Sequence, residues 1–244
     1  DGAGCQIPIQ QDTIFITTPP NPTFTADSII CQLDSIHYQL LNVINSNTSV
    51  EWSFEGGFPN ISTQINPSIY YPDTGSFDVQ VILTEDGCSD TLTRANFIQI
   101  KANPIANFGI TSPDSCAPVL VQFTDSSTST QGNIQSWSWD LGNSQTANSA
   151  DTALFYTQID TFPIQLIVEN NFGCKDTLLQ TFSTYPSPSV DAGAYPSICA
   201  GDTLQLQGTA TGNFTWSSTA WISNSSLANP LTVLDSTQIY TLAS

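Results

Sequence analysis

Basic residues are almost absent from this sequence of 244 residues. It has three of them, Arg94, Lys101 and Lys175, against 21 acidic residues, which gives a formal net charge of −18. A surface that binds nucleic acid neutralises phosphates with many lysines and arginines, and a surface that binds anionic lipid needs basic clusters. The composition therefore excludes nucleic acid and anionic lipid surfaces as partners. We interpret the acidity as a source of solubility in an exposed protein, with divalent-cation binding as the alternative.

Long apolar runs are also missing. No stretch reaches 18 apolar residues, so we expect no direct insertion into a membrane. The first residues lack the basic and then apolar pattern of a signal peptide. Because the sequence starts at Asp1 in mid-pattern, we interpret it as a mature or excised piece of a longer protein.

Methionine is absent, histidine occurs once, and there are six cysteines. No two cysteines form a Cys-x-x-Cys pair, so we expect no zinc site. Six cysteines in an acidic chain rich in serine, threonine and asparagine indicate an oxidising compartment. A Ser-His-Asp arrangement would have to use His37, which stands in a strand-like run. We interpret His37 as an outward-facing strand residue, and we predict no enzymatic activity and no catalytic residue.

Cysteine spacing reveals an internal repeat with a period of 85 residues. Each copy has an opening cysteine, a tryptophan 21 residues later, and a Gly-Cys pair that closes the copy. These landmarks are Cys31, Trp52 and Cys88 in the first copy, and Cys116, Trp137 and Cys174 in the second.

The repeat predicts one disulfide inside each copy, Cys31–Cys88 and Cys116–Cys174. Cys5 precedes Cys88 by 83 residues and Cys199 follows Cys116 by 83 residues. We therefore place Cys5 at the end of a preceding domain and Cys199 at the start of a following one, with their partners outside this sequence. The alternative is that Cys5 and Cys199 are free thiols or pair locally.

The segments between these landmarks show partial alternation of apolar and polar residues, with turn-forming residues between them and no sustained helical periodicity. This pattern predicts an all-β fold of tandem Ig-like β-sandwich domains, with tryptophans packed between sheets as core landmarks. Short proline-containing segments, Lys101–Pro104 and Tyr185–Pro188, favour an extended arrangement like beads on a string. The predicted domains are 1–18 (the last strands of a preceding Ig-like domain), 19–102 and 103–185 (two sandwiches), and 186–244 (an incomplete Ig-like sandwich). The core landmarks are Trp52, Trp137, Trp139 and Trp216.

Three segments of the second copy form a recognisable pattern: the turn Trp139–Asn143, the strand Phe162–Val168 and the closing segment Asn171–Thr177. Together they resemble a PKD (polycystic-kidney-disease) domain, and the first copy matches more loosely. The third segment, which opens at Cys199, resembles an Ig-like module that often accompanies PKD repeats. The resemblance implies a secreted or surface-anchored repeat protein of Bacteroidetes, of the gliding-motility adhesin type that the type IX system exports.

Two kinds of ligand site remain as hypotheses. A calcium ion is a possible cofactor at Asp125, Asp140 and Asn143, although no Asp-x-Asp-x-Asp-Gly run supports it. Asp-Thr and Asp-Ser pairs followed by a small apolar residue resemble the O-glycosylation motif of Bacteroidetes, and the alternative is that such pairs suit turns and strand ends. The candidate glycan acceptors are Thr13, Ser28, Ser35, Thr91, Thr152, Thr177 and Thr203.

We therefore expect a structural and adhesive repeat segment at the bacterial cell surface, which spaces and displays binding regions. Its expected partners are neighbouring repeats of the same chain, with surface polysaccharide or other cell-surface proteins as further candidates. The alternative is an accessory carbohydrate- or protein-binding region of a secreted multidomain hydrolase. A third possibility is a docking segment that binds a partner by strand addition at an exposed sheet edge.

Overall fold

A computed structural model describes residues 16 and 18–243 of the chain. All regular secondary structure in these residues is β, which confirms the all-β prediction. Contacts divide the chain into two compact units. The first comprises residues up to Gly109 together with Phe123–Thr152 and Pro163–Gln180, and the second comprises Ile110–Gln122, Ala153–Phe162 and the residues from Thr181 onward. The predicted domain boundaries stay a prediction from the repeat.

Nine strands lie in the first copy of the repeat: β1 (Phe24–Thr25), β2 (Ile29–Cys31), β3 (Ser35–His37), β4 (Gln39–Leu40), β5 (Thr48–Phe54), β6 (Ile61–Ser62), β7 (Ser68–Tyr70), β8 (Gly75–Glu85) and β9 (Cys88–Lys101). Five of them form a sheet in the order β2-β9-β8-β5-β6, and β1-β4 and β3-β7 form two-stranded sheets. Strand β2 runs parallel to β9, whereas β8 is antiparallel to both β5 and β9.

Alternation along the strands builds the core of the first unit. In β5 every second residue, Val50, Trp52 and Phe54, is buried, as a strand with one face on the core requires. The Trp52 ring contacts Phe24 edge-on at 5.2 Å between centroids, and it also contacts the fully buried Tyr38 at 5.8 Å. Aromatic side chains therefore supply much of the apolar area that this core removes from water.

The turn between β8 and β9 explains why these two long strands form a hairpin. Asp86 and Gly87 have φ of 47° and 81°, so both turn residues adopt the left-handed conformation. A two-residue turn of this kind matches the twist of the flanking strands, and Asp-Gly is a preferred sequence for it. The sequence Glu85-Asp-Gly-Cys88 thus encodes the register of the hairpin locally.

The second copy contributes nine strands: β10 (Phe108–Thr111), β11 (Cys116–Ala117), β12 (Val119–Asp125), β13 (Ile134–Asp140), β14 (Thr146–Ala147), β15 (Thr152–Tyr156), β16 (Thr161–Asn170), β17 (Lys175–Ser183) and β18 (Tyr185–Pro186). The sheet orders are β10-β12-β15, β14-β13-β16-β17 and β11-β18. Within the first unit, Trp139 packs on Phe108 and Phe123 at centroid distances of 5.0 and 5.9 Å. Within the second unit, Tyr156 packs on Phe162 at 4.5 Å.

The remaining strands, all in the second unit, are short: β19 (Val190–Asp191), β20 (Thr203–Gln205), β21 (Thr209–Ala210), β22 (Thr215–Ser217), β23 (Leu231–Val233) and β24 (Thr241–Ala243). They pair two by two, as β19-β21, β20-β23 and β22-β24. Their small core consists of Leu206, Trp216 and Leu242 with partly buried neighbours. Trp216 is buried as predicted, and its indole N–H donates to the carbonyl oxygen of Ala228 at 3.3 Å.

Candidate functional site

A disulfide in the first unit joins Cys31 to Cys174 across 143 residues of sequence. Cys31 is the last residue of β2 in the first copy, and Cys174 immediately precedes β17 in the second. The bond therefore links the opening strand of one copy to the closing hairpin of the next. Closing a loop of this length stabilises the folded state by about 5 kcal/mol in the chain-entropy description.

The predicted bond Cys31–Cys88 is wrong, and the pairing of β2 with β9 gives the reason. Cys31 lies beside Lys101 at the end of β9, whereas Cys88 is the first residue of that strand. Thirteen residues of strand, at about 3.3 Å each, put the two cysteines roughly 40 Å apart. A disulfide needs Cα atoms within about 7 Å of each other.

The predicted bond Cys116–Cys174 is also wrong, because the sulfur of Cys174 is bonded to Cys31. Within the described residues, Cys116 is a half-buried free thiol and Cys199 is an exposed one. Cys88 lies half-buried at the start of β9. Cys5 lies outside the described residues, so its pairing stays a prediction.

The buried side chain of Asn170 holds the hairpin that carries Cys174. Its carbonyl oxygen accepts hydrogen bonds from the backbone N–H groups of Phe172 and Cys174, both at 3.0 Å. Its amide nitrogen donates to the backbone carbonyl of Ala102 at 3.1 Å. One side chain therefore fixes the shape of the hairpin and binds it to the segment that follows β9. Sequence reasoning missed Asn170, because an asparagine shortly before a Gly-Cys pair is also ordinary turn chemistry.

The segment after β9 is bound on both sides, so it is not a bare linker. The amide of Asn103 donates to the carbonyl oxygen of Gln32 at 3.1 Å, and the backbone N–H of Ala102 donates to the Gln131 side chain at 3.3 Å. The Lys101 ammonium group lies 5.0 Å from the centroid of the Phe172 ring, a cation–π distance. These contacts join the segment after β9 to residues of both copies of the repeat.

We call the Cys31–Cys174 disulfide and the residues that contact it the junction. Two of the chain's three basic residues lie there. Lys101 covers Phe172, and Lys175 lies 3.5 Å from the carboxylate of Glu169. The second pair is largely exposed, so it contributes little to stability. The third cation, Arg94, lies over the ring of Phe24 at 4.2 Å. All three cations therefore have local partners in the first unit.

The tryptophan landmarks need one correction. Trp52 and Trp139 are buried and play the same part, since each donates its indole N–H to a backbone carbonyl in the following loop, that of Gln64 and that of Ser149. Trp137 is only half-buried, and its indole N–H donates to the carboxylate of Asp125 at 2.8 Å. The prediction that Trp137 is a core landmark equivalent to Trp52 is therefore wrong.

The two carboxylates among the proposed calcium ligands already accept hydrogen bonds, and they end different strands, β12 and β13. Asp125 accepts hydrogen bonds from Trp137 and from Ser127, and Asp140 accepts one from the backbone N–H of Gly142. No group of three or more His, Cys, Asp or Glu side chains that could hold a metal ion occurs in the described residues. Calcium binding at Asp125, Asp140 and Asn143 stays a prediction.

His37 and the candidate glycan acceptors lie on strands and turns. His37 is exposed on β3 and pairs in register with Ser68. Glycosylation stays a prediction, and Thr13 lies outside the described residues. Of the other acceptors, Ser28 and Thr152 are half-buried, whereas the exposed ones are Ser35, Thr91, Thr177 and Thr203.

Comparison with known families identifies the second copy. Residues 101–184 match the profile of the PKD domain. The match includes Asn170 and Cys174, so the residues with which the second copy forms and supports the disulfide belong to the matched segment. It confirms the resemblance to PKD domains and, with the strands above, the Ig-like fold class. Domains of this class are typically non-catalytic.

Solved structures with similarity to the chain include two PKD domains and one adhesin. The PKD1 domain of the Vibrio cholerae metalloprotease PrtV is 30% identical, with 34% of this chain and 96% of that chain covered and a TM-score of 0.31. The PKD1 domain of Vibrio anguillarum Epp is 24% identical, with coverages of 35% and 96% and a TM-score of 0.32. A 1.5-MDa bacterial ice-binding adhesin is 14% identical, with coverages of 83% and 82% and a TM-score of 0.32.

The comparison with curated proteins gave no match. In the part of the chain that the structure describes, no helix is long and apolar enough to cross a membrane.

Proposed function

We propose that this chain is a structural and adhesive repeat region of an extracellular, cell-surface protein. Cross-links between consecutive modules allow the region to bear a pulling force while it displays binding surfaces. The observation that carries the proposal is the bond between Cys31 and Cys174. It joins the PKD-matching copy to the copy before it. A ligand site needs no such bond, whereas a region under tension gains directly from it.

The position of the bond determines how a pulling force passes through the chain. Force that enters before Cys31 crosses the disulfide and leaves after Cys174, so the residues between them carry no tension even when they unfold. Those 142 residues, at about 3.4 Å each, correspond to roughly 480 Å of extension that the oxidised chain does not release. The bond thus limits lengthening without preventing local unfolding.

Single-molecule force spectroscopy tests the proposal. The chain is stretched between its two ends with and without a reductant, and the contour length gained after complete unfolding is measured. We expect the oxidised chain to gain roughly 480 Å less than the reduced chain. A variant with Cys31→Ser and Cys174→Ser gains more contour length than the oxidised wild-type chain when no reductant is present.

The matched control is Cys199→Ser, which removes an exposed free thiol and leaves the cross-link intact. It retains the difference between oxidised and reduced chains. Equal contour lengths for oxidised and reduced wild-type chains would overturn the load-bearing proposal.

We base the finer assignment on the disulfide and on the sequence motifs. The disulfide supports an oxidising, extracellular location, because such bonds persist outside the reducing cytosol. The Bacteroidetes-type motifs favour a surface protein of the gliding-motility adhesin type, exported by the type IX system. We propose that its first partners are neighbouring repeats of the same chain. We also propose that the modules are arranged in an extended way, and small-angle scattering tests this: the expected maximum dimension is well above that of a single globule.

A second candidate function is binding of carbohydrate, as in an accessory region of a secreted hydrolase. Trp221 in the second unit favours it, because its side chain is 60% exposed beside Asp235 and Gln238 in an open cleft. An exposed aromatic ring next to polar groups suits a sugar ring. Calorimetric titration with soluble polysaccharides tests this. We expect the wild-type chain to give a binding heat and the Trp221→Ala variant to give none.

A further inference from the structure

The backbone pairing around Cys116 in the second unit repeats the pairing around Cys31 in the first. We call each cysteine, with the strand end beside it, a socket. Cys31 pairs in parallel with Lys101, and Cys116 pairs in parallel with Tyr185. In both cases a two- or three-residue opening strand lies beside the end of the strand that leads into the next segment. Cys116 therefore occupies the position in the second copy that the bonded Cys31 occupies in the first.

The hydrogen bond that fixes the following segment is repeated as well. In the first unit the side chain of Asn103 donates to the carbonyl oxygen of Gln32, the residue after Cys31. In the second unit the hydroxyl of Ser187 donates to the carbonyl oxygen of Ala117, the residue after Cys116, at 2.9 Å. The segment that leaves each copy is thus bound to the residue next to the cysteine in the same way.

The two sockets differ in what contacts them within the described residues. Lys101 is half-buried under Phe172, and Cys31 is bonded to Cys174. At the equivalent positions Tyr185 is 60% exposed, and Cys116 carries a free thiol. The exposed Tyr185 ring therefore lies beside the free Cys116 thiol, on a backbone that hydrogen bonds already hold in place. These features suit a partner that packs on the ring and bonds to the thiol.

We propose that Cys116 forms a disulfide with the closing hairpin of a further PKD-type module, one that presents a Gly-Cys turn like that of Gly173 and Cys174. This inference deepens the proposed function, since it makes the cross-link between copies a repeating feature. The occupant is identified by the first junction, where a hairpin of this kind is seated on the equivalent residues. Tyr185 supplies the contact with the hairpin's aromatic residue that Lys101 supplies to Phe172.

The bond forms by thiol–disulfide exchange. A low-molecular-weight disulfide first forms a mixed disulfide with the hairpin cysteine and releases one thiol. The Cys116 thiolate then attacks the hairpin sulfur, the new S–S bond forms, and the second small thiol leaves with the electron pair and takes up a proton. Two protein thiols are oxidised and one small disulfide is reduced to two thiols.

Cys199 provides the matched comparison, because it is the other free thiol among the described residues and is more exposed. A reagent without specific recognition therefore reacts faster at Cys199 than at Cys116. A hairpin that recognises the socket reverses this order.

The test uses a synthetic peptide with the sequence of residues 168–177, whose cysteine is activated as a mixed disulfide with 2-thiopyridine. It is mixed with the intact oxidised chain. The released pyridine-2-thione gives the rate, and peptide mapping by mass spectrometry gives the site. We expect capture at Cys116 at least tenfold faster than at Cys199, and a scrambled peptide of the same composition to favour Cys199.

Three variants complete the experiment. Cys116→Ser loses the fast phase, Cys199→Ser retains it, and Tyr185→Ala slows it severalfold. Equal rates at the two thiols, or equal rates for the native and scrambled peptides, would overturn the inference. Either result leaves the force measurement on Cys31 and Cys174 unaffected, so failure of this inference is distinguishable from failure of the proposed function.

Discussion

The hydroxyl groups of Tyr38 and Tyr71 are hydrogen-bonded to each other, 2.9 Å apart, in the core of the first unit. Both side chains are fully buried, so each hydroxyl relies on the other in place of water. Burial raises the pKa of Tyr38 well above its ordinary value, with the hydrogen bond to Tyr71 adding to the effect. Burial also raises the pKa of Tyr71.

These raised pKa values predict a loss of stability at high pH. Above about pH 10 the tyrosines of the unfolded chain release their protons, whereas Tyr38 and Tyr71 in the folded chain keep theirs. The unfolded state therefore binds fewer protons, and the free energy of unfolding falls by up to about 1.4 kcal/mol per pH unit for each of the two tyrosines. Urea unfolding at pH 9, 10 and 11 measures this slope. A variant with Tyr38→Phe and Tyr71→Phe shows a shallower slope, and an unchanged slope would contradict the prediction.

We expect Tyr38→Phe alone to lower the free energy of unfolding by more than half of what the double replacement of Tyr38 and Tyr71 costs. The single change leaves the buried Tyr71 hydroxyl without its partner, which costs about 1–3 kcal/mol. Removal of both hydroxyl groups leaves no orphaned polar atom. Chemical unfolding of the two single variants and the double variant at pH 7 gives the coupling energy, and a coupling energy near zero would show that the pair is not linked.

Gly87→Ala lowers the stability of the first unit by about 1 kcal/mol. The added methyl group meets no atom within 4 Å, but the φ of +81° is unfavourable for any residue with a Cβ. Gly109→Ala is the matched control, since its Cβ also meets nothing and its φ is not positive, and we expect it to be neutral or slightly stabilising. Thermal unfolding of the two variants distinguishes backbone strain from loss of space.

Asn170→Ala lowers the free energy of unfolding by about 3 kcal/mol. The change leaves the N–H groups of Phe172 and Cys174 and the carbonyl oxygen of Ala102 without their bonds in a site that is partly buried. Refolding from the reduced state also gives less of the Cys31–Cys174 bond, measured by mass mapping without reduction. Asn47→Ala is the control, since Asn47 is exposed and its loss changes stability by less than about 0.5 kcal/mol.

The two neighbouring tryptophans of β13 respond differently to replacement. Trp139→Ala removes a fully buried ring and costs about 3–5 kcal/mol. Trp137→Ala removes a half-buried ring and its bond to Asp125, so we expect about 1–2 kcal/mol. Urea unfolding of both variants measures the difference, and equal losses would show that Trp137 is also part of the core.

The sequence contains enough information for the strands, the repeat and the PKD resemblance, since these depend on local alternation and on turn residues such as Asp86 and Gly87. The disulfide pairing, in contrast, could not be predicted from local sequence patterns. The interval from Cys31 to Cys174 is one repeat period longer than the interval from Cys116 to Cys174, so spacing alone fits bonds within a copy and bonds between copies equally well. Only the parallel pairing of β2 with the far end of β9 decides between them.

The tryptophan assignment failed for a related reason. Trp137 and Trp139 are two residues apart, so they lie on the same face of a strand, and cysteine spacing selects the first of them. The register of β13 with β16 places Trp139 opposite Leu166, as Trp52 lies opposite Val81.

The bond between Cys31 and Cys174 also changes what a peptidase can do to this protein. The loop between β4 and β5 contains Val43, whose side chain is 91% exposed, so this loop is an accessible place for cleavage. A cut there, or at any other peptide bond between the two cysteines, produces two polypeptides that stay covalently attached through sulfur. Shedding of the outer portion by such a cut then requires a reductant as well as a peptidase.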